Sequence, residues 1–361
     1  MGGVLPSSSP TTIRVRPIDP LMDGRWDAYV RADPRASPYH LGAWSSILQR
    51  AYRFAPRYLG AELGGELAGV LPLFHGRGLL GSRLTSMPVA WWAGPLGRSR
   101  EVEGALLRAA RELARERGAG KLLVKSTLGG LEDVAPELHA SSYDPAWVLE
   151  LPPDADDLDA LWRREKRLWR SLRKAQKSVL TVREATSAAE LRRFYSLYLA
   201  TMRKHRSLPR SYRHLSVARS SLGPDVFRLF VVEHEGEIVA GGLFFAFGKT
   251  LELIYNASDE ARLDLRPNHL LYEHTIRWAQ SRGFGAFDFG GAAAGSSLGD
   301  FKAQWGAEPR AVYVYGWAAG GAEAARAERT QTPGGGRVQQ LWERTPLWMT
   351  RIGGSVAYRY L

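Results

Sequence analysis

Ala114-Arg115-Glu116-Arg117-Gly118-Ala119-Gly120-Lys121-Leu122-Leu123-Val124 aligns with Ala279-Gln280-Ser281-Arg282-Gly283-Phe284-Gly285-Ala286-Phe287-Asp288-Phe289; the alanine, the arginine and both glycines coincide. The two stretches share one physical reading. A helical pattern runs up to a glycine suited to the left-handed residue that ends a helix, and a short apolar strand follows. A second echo lies upstream. Gly65-Glu66-Leu67-Ala68-Gly69-Val70-Leu71-Pro72-Leu73-Phe74 resembles Gly236-Glu237-Ile238-Val239-Ala240-Gly241-Gly242-Leu243-Phe244-Phe245 with one residue of slippage. In each copy a strand precedes it, 57–63 and 227–234, and Gly64-Gly65 or Glu235-Gly236 makes the turn of a hairpin. Both halves therefore run hairpin, strand, helix, strand. The fold class expected is α/β (α+β): two tandem units, each a mixed sheet flanked by helices.

The second copy reads more clearly. Residues 227–234, 237–247 and 250–257 form a three-stranded meander. Pro267 and Asn268 open a helix, with Asn268 as its N-cap, and Leu271, Thr275, Trp278 and Ala279 share one face. Residues 286–289 form a strand, Gly290-Gly291 begins a small-residue loop through Gly299, and a last strand covers 311–317. Ahead of this copy, residues 158–177 form a basic helical stretch with Arg163, Arg164, Lys166, Arg167, Arg170, Arg173, Lys174 and Lys177 against two acids, Asp159 and Glu165. Trp162, Trp169, Leu172 and Gln176 fall on one stripe of it.

Composition bounds the function. The 361 residues suit two domains, and 45% hydrophobic content suits packed cores. With no cysteine, disulfides, thiolate nucleophiles and cysteine zinc sites are excluded. The N-terminus lacks the apolar core of a signal peptide, and no run is long enough to span a bilayer, so a soluble, cytoplasmic protein is expected. A formal charge of +12 favours an anionic partner: RNA, a phosphorylated substrate or an acidic membrane surface. The eight histidines show no metal-binding spacing, so no metal is expected.

Asn268-His269-Leu270-Leu271-Tyr272, Trp278-Ala279, Arg282-Gly283, Phe287-Asp288-Phe289-Gly290 and Phe301-Lys302-Ala303-Gln304-Trp305-Gly306-Ala307 resemble the FemAB-like branch of the GNAT acyltransferase superfamily. That branch includes the Fem peptidyltransferases and the related BioF2-like acetyltransferase-domain proteins found beside exopolysaccharide and exosortase systems. Pro38-Tyr39-His40 to Trp44, Ser86-Met87-Pro88 to Gly94-Pro95, Arg173 to Lys177 and Leu341-Trp342 to Pro346-Leu347 are similar to other parts of those proteins, so the resemblance spans nearly the whole chain. It implies two GNAT-like units, 13–155 and 156–319, the second with a basic helix at its start. Around them stand a disordered N-terminus (1–12), a linker (320–336) and an amphipathic helical tail (337–361). It implies transfer of an acyl group, or an aminoacyl group from aminoacyl-tRNA, to an amine of a cell-envelope precursor. Two departures stand out: there is no room for the long helical arm of the Fem enzymes, and Gly291 stands where relatives often carry arginine.

Acyl transfer to an amine needs a neutral nucleophile, held reactants and a stabilised oxyanion, without a Ser-His-Asp arrangement. Lys302 is the first candidate, at a cleft edge outside any helix, where an ammonium meets an oxyanion or a phosphate; its replacement by alanine is expected to change stability little. Asp288, at a strand's C-terminal end, is the candidate base; the alternative is a structural carboxylate that accepts loop N–H bonds. Tyr255 and Asn256 close a strand where GNAT proteins splay, and Phe301, Asn268, Tyr272, Gly290, Gly291, Trp305 and Arg266 complete the candidate substrate-binding set; Phe301 also reads as a packing residue that fixes the lysine. Arg173 and Lys174 are candidate anion-binding residues. The segment from Arg262 to Asn268 has no glycine, which disfavours the backbone cradle that holds a CoA pyrophosphate. No tightly bound cofactor is expected; the donor is aminoacyl-tRNA or acyl-CoA. The acceptor is an envelope or polysaccharide precursor, tRNA and peripheral contact with an acidic membrane are the further partners, and DNA is not expected. The rivals are a CoA-dependent GNAT acyltransferase and a non-catalytic GNAT-like module that binds a lipid-linked glycan.

Overall fold

The structure, a computed structural model, describes residues 12–321 except 79, 80 and 90. The expectations for the disordered N-terminus, most of the linker and the helical tail lie outside the described residues.

The chain forms two compact units, described here within 12–321. The first takes in residues up to 45, 55–141 and from 314 on; the second takes in 46–54 and 142–313. In the first unit a four-stranded sheet runs in the order β1-β3-β4-β7: β1 is Arg14–Pro17, β3 Leu59–Leu63, β4 Glu66–Leu71 and β7 Leu96–Gly97. A six-stranded sheet is ordered β2-β5-β6-β8-β17-β9, made of β2 (Ala55–Pro56), β5 (Phe74–Gly78), β6 (Gly81–Thr85), β8 (Lys121–Ser126), β9 (His139–Ser142) and β17 (Tyr313–Ala318). The second unit has one seven-stranded sheet, β11-β12-β13-β14-β15-β10-β16. Its strands are β10 (Ala146–Glu150), β11 (Leu180–Glu184), β12 (Phe227–His234), β13 (Glu237–Phe247), β14 (Thr250–Ser258), β15 (Ala286–Gly291) and β16 (Glu308–Arg310). The helices are α1 (Arg25–Ala32), α2 (Ala43–Tyr52), α3 (Arg100–Glu116), α4 (Ala155–Arg164), α5 (Lys166–Lys177), α6 (Ala188–Lys204), α7 (Tyr212–Val226), α8 (Pro267–Ser281) and α9 (Ser297–Ala303).

The repeated sequence has a repeated cause. At the end of α3, Gly118 N donates to Arg115 O (3.0 Å) and Ala119 N to Ala114 O (2.8 Å); at the end of α8, Gly283 N donates to Gln280 O (3.0 Å) and Phe284 N to Ala279 O (3.1 Å). These are two Schellman ends, with the glycines at φ 63° and 76°, where a β-carbon is strained. The second glycine of each echo is spent alike: Gly120 N donates to Ser82 O and Gly285 N to Lys249 O, both at 2.8 Å. Each bond starts a parallel ladder, Leu84↔Leu122 in the first unit and Leu251↔Phe287 in the second. The two copies differ at one proline. Strand β13 runs unbroken for 11 residues, whereas Pro72, with no N–H to give a ladder, lies between β4 and β5, which belong to different sheets.

Three expectations are corrected. The expected unit boundaries, 13–155 and 156–319, do not hold, because strands are exchanged: β10 lies between β15 and β16 in the second sheet, and β17 lies between β8 and β9 in the first unit's. Residues 46–54 also belong to the second unit; there the Tyr52 ring lies 5.4 Å from that of His214 and its hydroxyl accepts from Ser211 N at 3.3 Å. The basic stretch is two helices rather than one, broken at Glu165 (ψ 86°). Trp162 on α4 is fully buried and gives its indole N–H to Trp305 O, whereas α5 buries Leu168, Leu172 and Ala175 and turns its cations outward.

Candidate active site

The site is built where two neighbouring strands part. Strands β14 and β15 run parallel, paired only from Thr250↔Ala286 to Glu252↔Asp288. Beyond that, β14 continues to Ser258 along β13, through a bulge after Leu243, and β15 turns to β10, with Gly291 opposite Ala146. On one face, Leu251, Leu253, Phe287 and Phe289 enter the core with Trp162, Leu271, Ile276 and Trp305. Alternation along a strand puts Glu252 and Asp288 on the other face, side by side at the last paired position.

Both carboxylates are buried, Glu252 5% and Asp288 7% exposed. Asp288 Oδ1 accepts Gly290 N at 2.7 Å. Lys302, on α9 and 5% exposed, donates from Nζ to Gly290 O and to Gly291 O, both at 2.8 Å. Burial pushes the Asp288 carboxyl up to about 6, against the pull of the Gly290 N–H and the charges of Lys302 and Arg310. Burial likewise pushes Lys302 down to about 8, opposed by the charges of Asp288 and Asp144. Removing these groups from water disfavours both charged forms, and their mutual attraction restores part of the loss. Near neutral pH the arrangement is a carboxylate beside an ammonium, each poised close to its titration range.

The structure thus unites Asp288, Gly290, Gly291 and Lys302. It also corrects the expectations for Lys302, which lies within a helix and away from solvent. The loop read through Gly299 ends early because the Ser296 hydroxyl accepts Gly299 N at 3.1 Å and starts α9. An alanine at 302 leaves two carbonyls without their donor, so a small stability change is no longer expected.

Trp305 is fully buried and packs among aromatic side chains. Its ring meets that of Tyr272 at 5.7 Å, Tyr272 is itself buried, and Phe301 lies 5.9 Å from Tyr272. These rings form the wall behind α9. Asn268 is not the N-cap of α8. That position is held by Arg266 at φ 64°, followed by Pro267. Asn268 instead links the start of α8 to the outer part of β14: its Oδ1 accepts from Asn256 Nδ2 at 3.2 Å and its Nδ2 donates to Ser258 Oγ at 3.3 Å. The Tyr255 hydroxyl accepts from Arg210 Nε at 3.3 Å. Tyr255, Asn256 and Asn268 therefore stand along the parted length of β14, and Arg266 is exposed beside it. Arg173 and Lys174 project from the exposed face of α5; the Arg173 guanidinium lies 5.9 Å from the Trp169 ring centre, and neither joins the Lys302 cluster. Sequence reading missed Glu252, whose signal is a charged residue between Leu251 and Leu253 in an otherwise apolar strand. Among the described residues no group of three or more histidines and carboxylates is placed to hold a metal ion.

Residues 143–303 match the family model described as acetyltransferase (GNAT) domain. This stretch, similar to a GNAT domain, covers most of the second unit. The chain is 24% identical over 116 residues to the UDP-N-acetylmuramoylpentapeptide-lysine N(6)-alanyltransferase of Weissella viridescens, a match covering 32% of this chain and 34% of that enzyme. The match thus spans about a third of that relative's length. The crystal structure of FemX is similar over 84% of this chain and 97% of its own, at 17% identity and a TM-score of 0.68. A tandem GNAT protein from the clavulanic acid biosynthesis pathway is similar over 86% of this chain and all of its own, at 17% identity and a TM-score of 0.53. The fold is therefore that of two tandem GNAT units.

Proposed function

We propose that the protein is an N-acyltransferase that moves an aminoacyl or acyl group onto an amine of a cell-envelope or polysaccharide precursor. The observation that carries this reading is the parting of β14 from β15 in a GNAT domain, closed by the buried Asp288–Lys302 pair. In this reading the acceptor amine attacks the donor's acyl carbon. The C–N bond forms as the ester or thioester bond breaks, Asp288 takes the amine proton, and the leaving oxygen or sulfur is protonated in turn. The curated relative's name, an alanyltransferase acting on a pentapeptide lysine, supports a peptide amine as acceptor. A peptidoglycan precursor and an exopolysaccharide precursor both fit this chemistry.

Two observations favour aminoacyl-tRNA over acyl-CoA as donor. At the start of α8, Pro267 has no N–H, and the amides of His269 and Leu270 are spent on Arg266 O, so the helix start offers little backbone to a pyrophosphate. On α5 and just before it, Arg164, Lys166, Arg167, Arg170, Arg173, Lys174 and Lys177 are exposed and form no ion pair among the described residues, a surface suited to a phosphate backbone. An acidic membrane face would meet the same cations, and a cytoplasmic location, peripheral at that membrane, belongs to this proposal; no helix among the described residues is long and apolar enough to cross a bilayer. The test is transfer of labelled amino acid from charged tRNA to a UDP-linked or lipid-linked peptide. Transfer should vanish with ribonuclease and weaken on the order of 10³-fold between 50 and 200 mM salt for six phosphate contacts. Activity that survives ribonuclease and follows added acyl-CoA makes the protein a CoA-dependent GNAT enzyme.

A further inference from the structure

An ammonium has three N–H donors, and Lys302 spends two of them on main-chain carbonyls, Gly290 O and Gly291 O. The first of its two anchors is held from the other side as well, since Gly290 N donates to Asp288 Oδ1. Gly290 has φ 73°, a conformation open to glycine at little cost, so the turn owes its direction to these three bonds. It also stands at the decisive place, one residue past Phe289, where β15 has already left β14. In a trans peptide the C=O and N–H point in opposite directions. Drawing Gly290 O to the ammonium therefore sends Gly291 N–H the other way.

We infer that Lys302 is a positioning residue: it sets the Gly290–Gly291 peptide planes at the mouth of the parted strands and supplies the countercharge to Asp288, and it does not itself meet the transferred group. A cation meant for an oxyanion needs uncommitted donors near solvent, and this one is buried with two of its three donors committed. The charged groups acting on the pair are Arg310 on β16 and Asp144 ahead of β10; Glu252 on β14 is in register with Asp288, and β10 presents Val148 opposite it. The inference rests on the acyltransferase reading only for what the turn serves; its test reads the turn itself.

The experiment compares wild type, Lys302→Met and the double variant Lys302→Met/Asp288→Asn, which removes both charges and so avoids leaving one buried and unpaired. The Asp288 carboxyl is followed by ¹³C NMR against pH, and the Gly290 and Gly291 amides by hydrogen exchange. In Lys302→Met the Asp288 midpoint should rise by about one unit or more. In the folded double variant both amides should exchange at least about tenfold faster. An unchanged midpoint, or unchanged exchange, overturns the inference. Where transfer is measurable, Lys302→Met should recover to within about tenfold of wild type at pH values where Asp288 is again ionised; loss persisting at every such pH assigns Lys302 direct contact and also overturns it. If no donor supports transfer in wild type, the acyltransferase reading falls while the NMR and exchange results still decide the role of Lys302.

Discussion

The two units answer the same sheet geometry in opposite ways. In the second, the parallel pair ends at Glu252↔Asp288 and the strands part. In the first, the equivalent pair is Thr85↔Leu123, and the strands stay joined: Ser86 N donates to Leu123 O at 2.9 Å, and the Ser86 hydroxyl accepts Lys125 N at 3.1 Å. One serine bridges the place where the other copy opens. Where the second unit buries two carboxylates, the first has a buried threonine and a half-buried leucine. A duplicated fold thus keeps its helix end, its parallel ladder and its hairpin in both copies. What separates a candidate site from a scaffold is whether two strands continue past one position.

The largest expected effect tests this division directly. Asp288→Asn should lower the initial rate of transfer by about 10²- to 10⁴-fold. The converse change, Leu123→Asp, should leave the chemistry of the second unit alone but place a charge at a half-buried position in the first, costing about 1–3 kcal/mol in urea unfolding. Equal loss of rate per folded molecule in the two variants would erase the distinction.

Much of this comparison was legible beforehand. The Ala-Arg-Gly echo is the imprint of two Schellman ends, a local rule carried by neighbouring residues. Strand membership is not local: nothing in Ala146–Glu150 or Tyr313–Ala318 tells which sheet each will join, so the expected boundaries were contiguous and the observed ones are not. Lys302 was found through its neighbours Phe301 and Trp305. Its burial depends on α9 folding back over Gly290, which a small-residue loop conceals. Glu252 was passed over because alternation in a strand ordinarily sends a glutamate to solvent; here that second face is covered as well.

The matched glycines of the upstream echo offer the next test. A β-carbon on Gly69 would lie 2.5 Å from Val102 Cγ1 and 2.9 Å from Leu96 O; one on Gly241 would lie 2.9 Å from Phe194 Cδ2 and 3.0 Å from Phe230 O. Both alanine variants should unfold at lower denaturant, by about 1–3 kcal/mol, with Gly69→Ala the worse. A neutral Gly69→Ala would mean that the shared glycine is inheritance rather than close packing.

Acid should weaken both units. Burial pushes His40 in the first unit down to about 4, and His214 and His269 in the second down to about 3 and about 4. Each folded value lies below the ordinary histidine value near 6.5, so the unfolded chain binds protons that the native state refuses. Stability is full above about 6.5 and declines as pH falls toward 4. Asp288 acts with the opposite sign, because its raised value makes the native state bind a proton first between its ordinary range and about 6. Asp288→Asn should therefore steepen the acid loss of the second unit and leave that of the first unchanged, as read by unfolding at stepped pH. The smallest effect belongs to Ser86→Ala, expected to cost about 0.5–1.5 kcal/mol with no change in transfer rate; a gain of activity in that variant would show that the first unit holds a latent cleft.

The exchanged strands give the chain an order of completion. Residues 142–313 contain every strand of the second unit's sheet, β10 through β16. The first unit's larger sheet lacks β17, which sits between β8 and β9 and is the last strand in the described sequence. A ribosome making this protein releases all of the second sheet before it delivers the strand that fills the gap in the first. Among the described residues, the unit that begins first therefore receives its last strand last, and its larger sheet stays open between β8 and β9 until β17 is made.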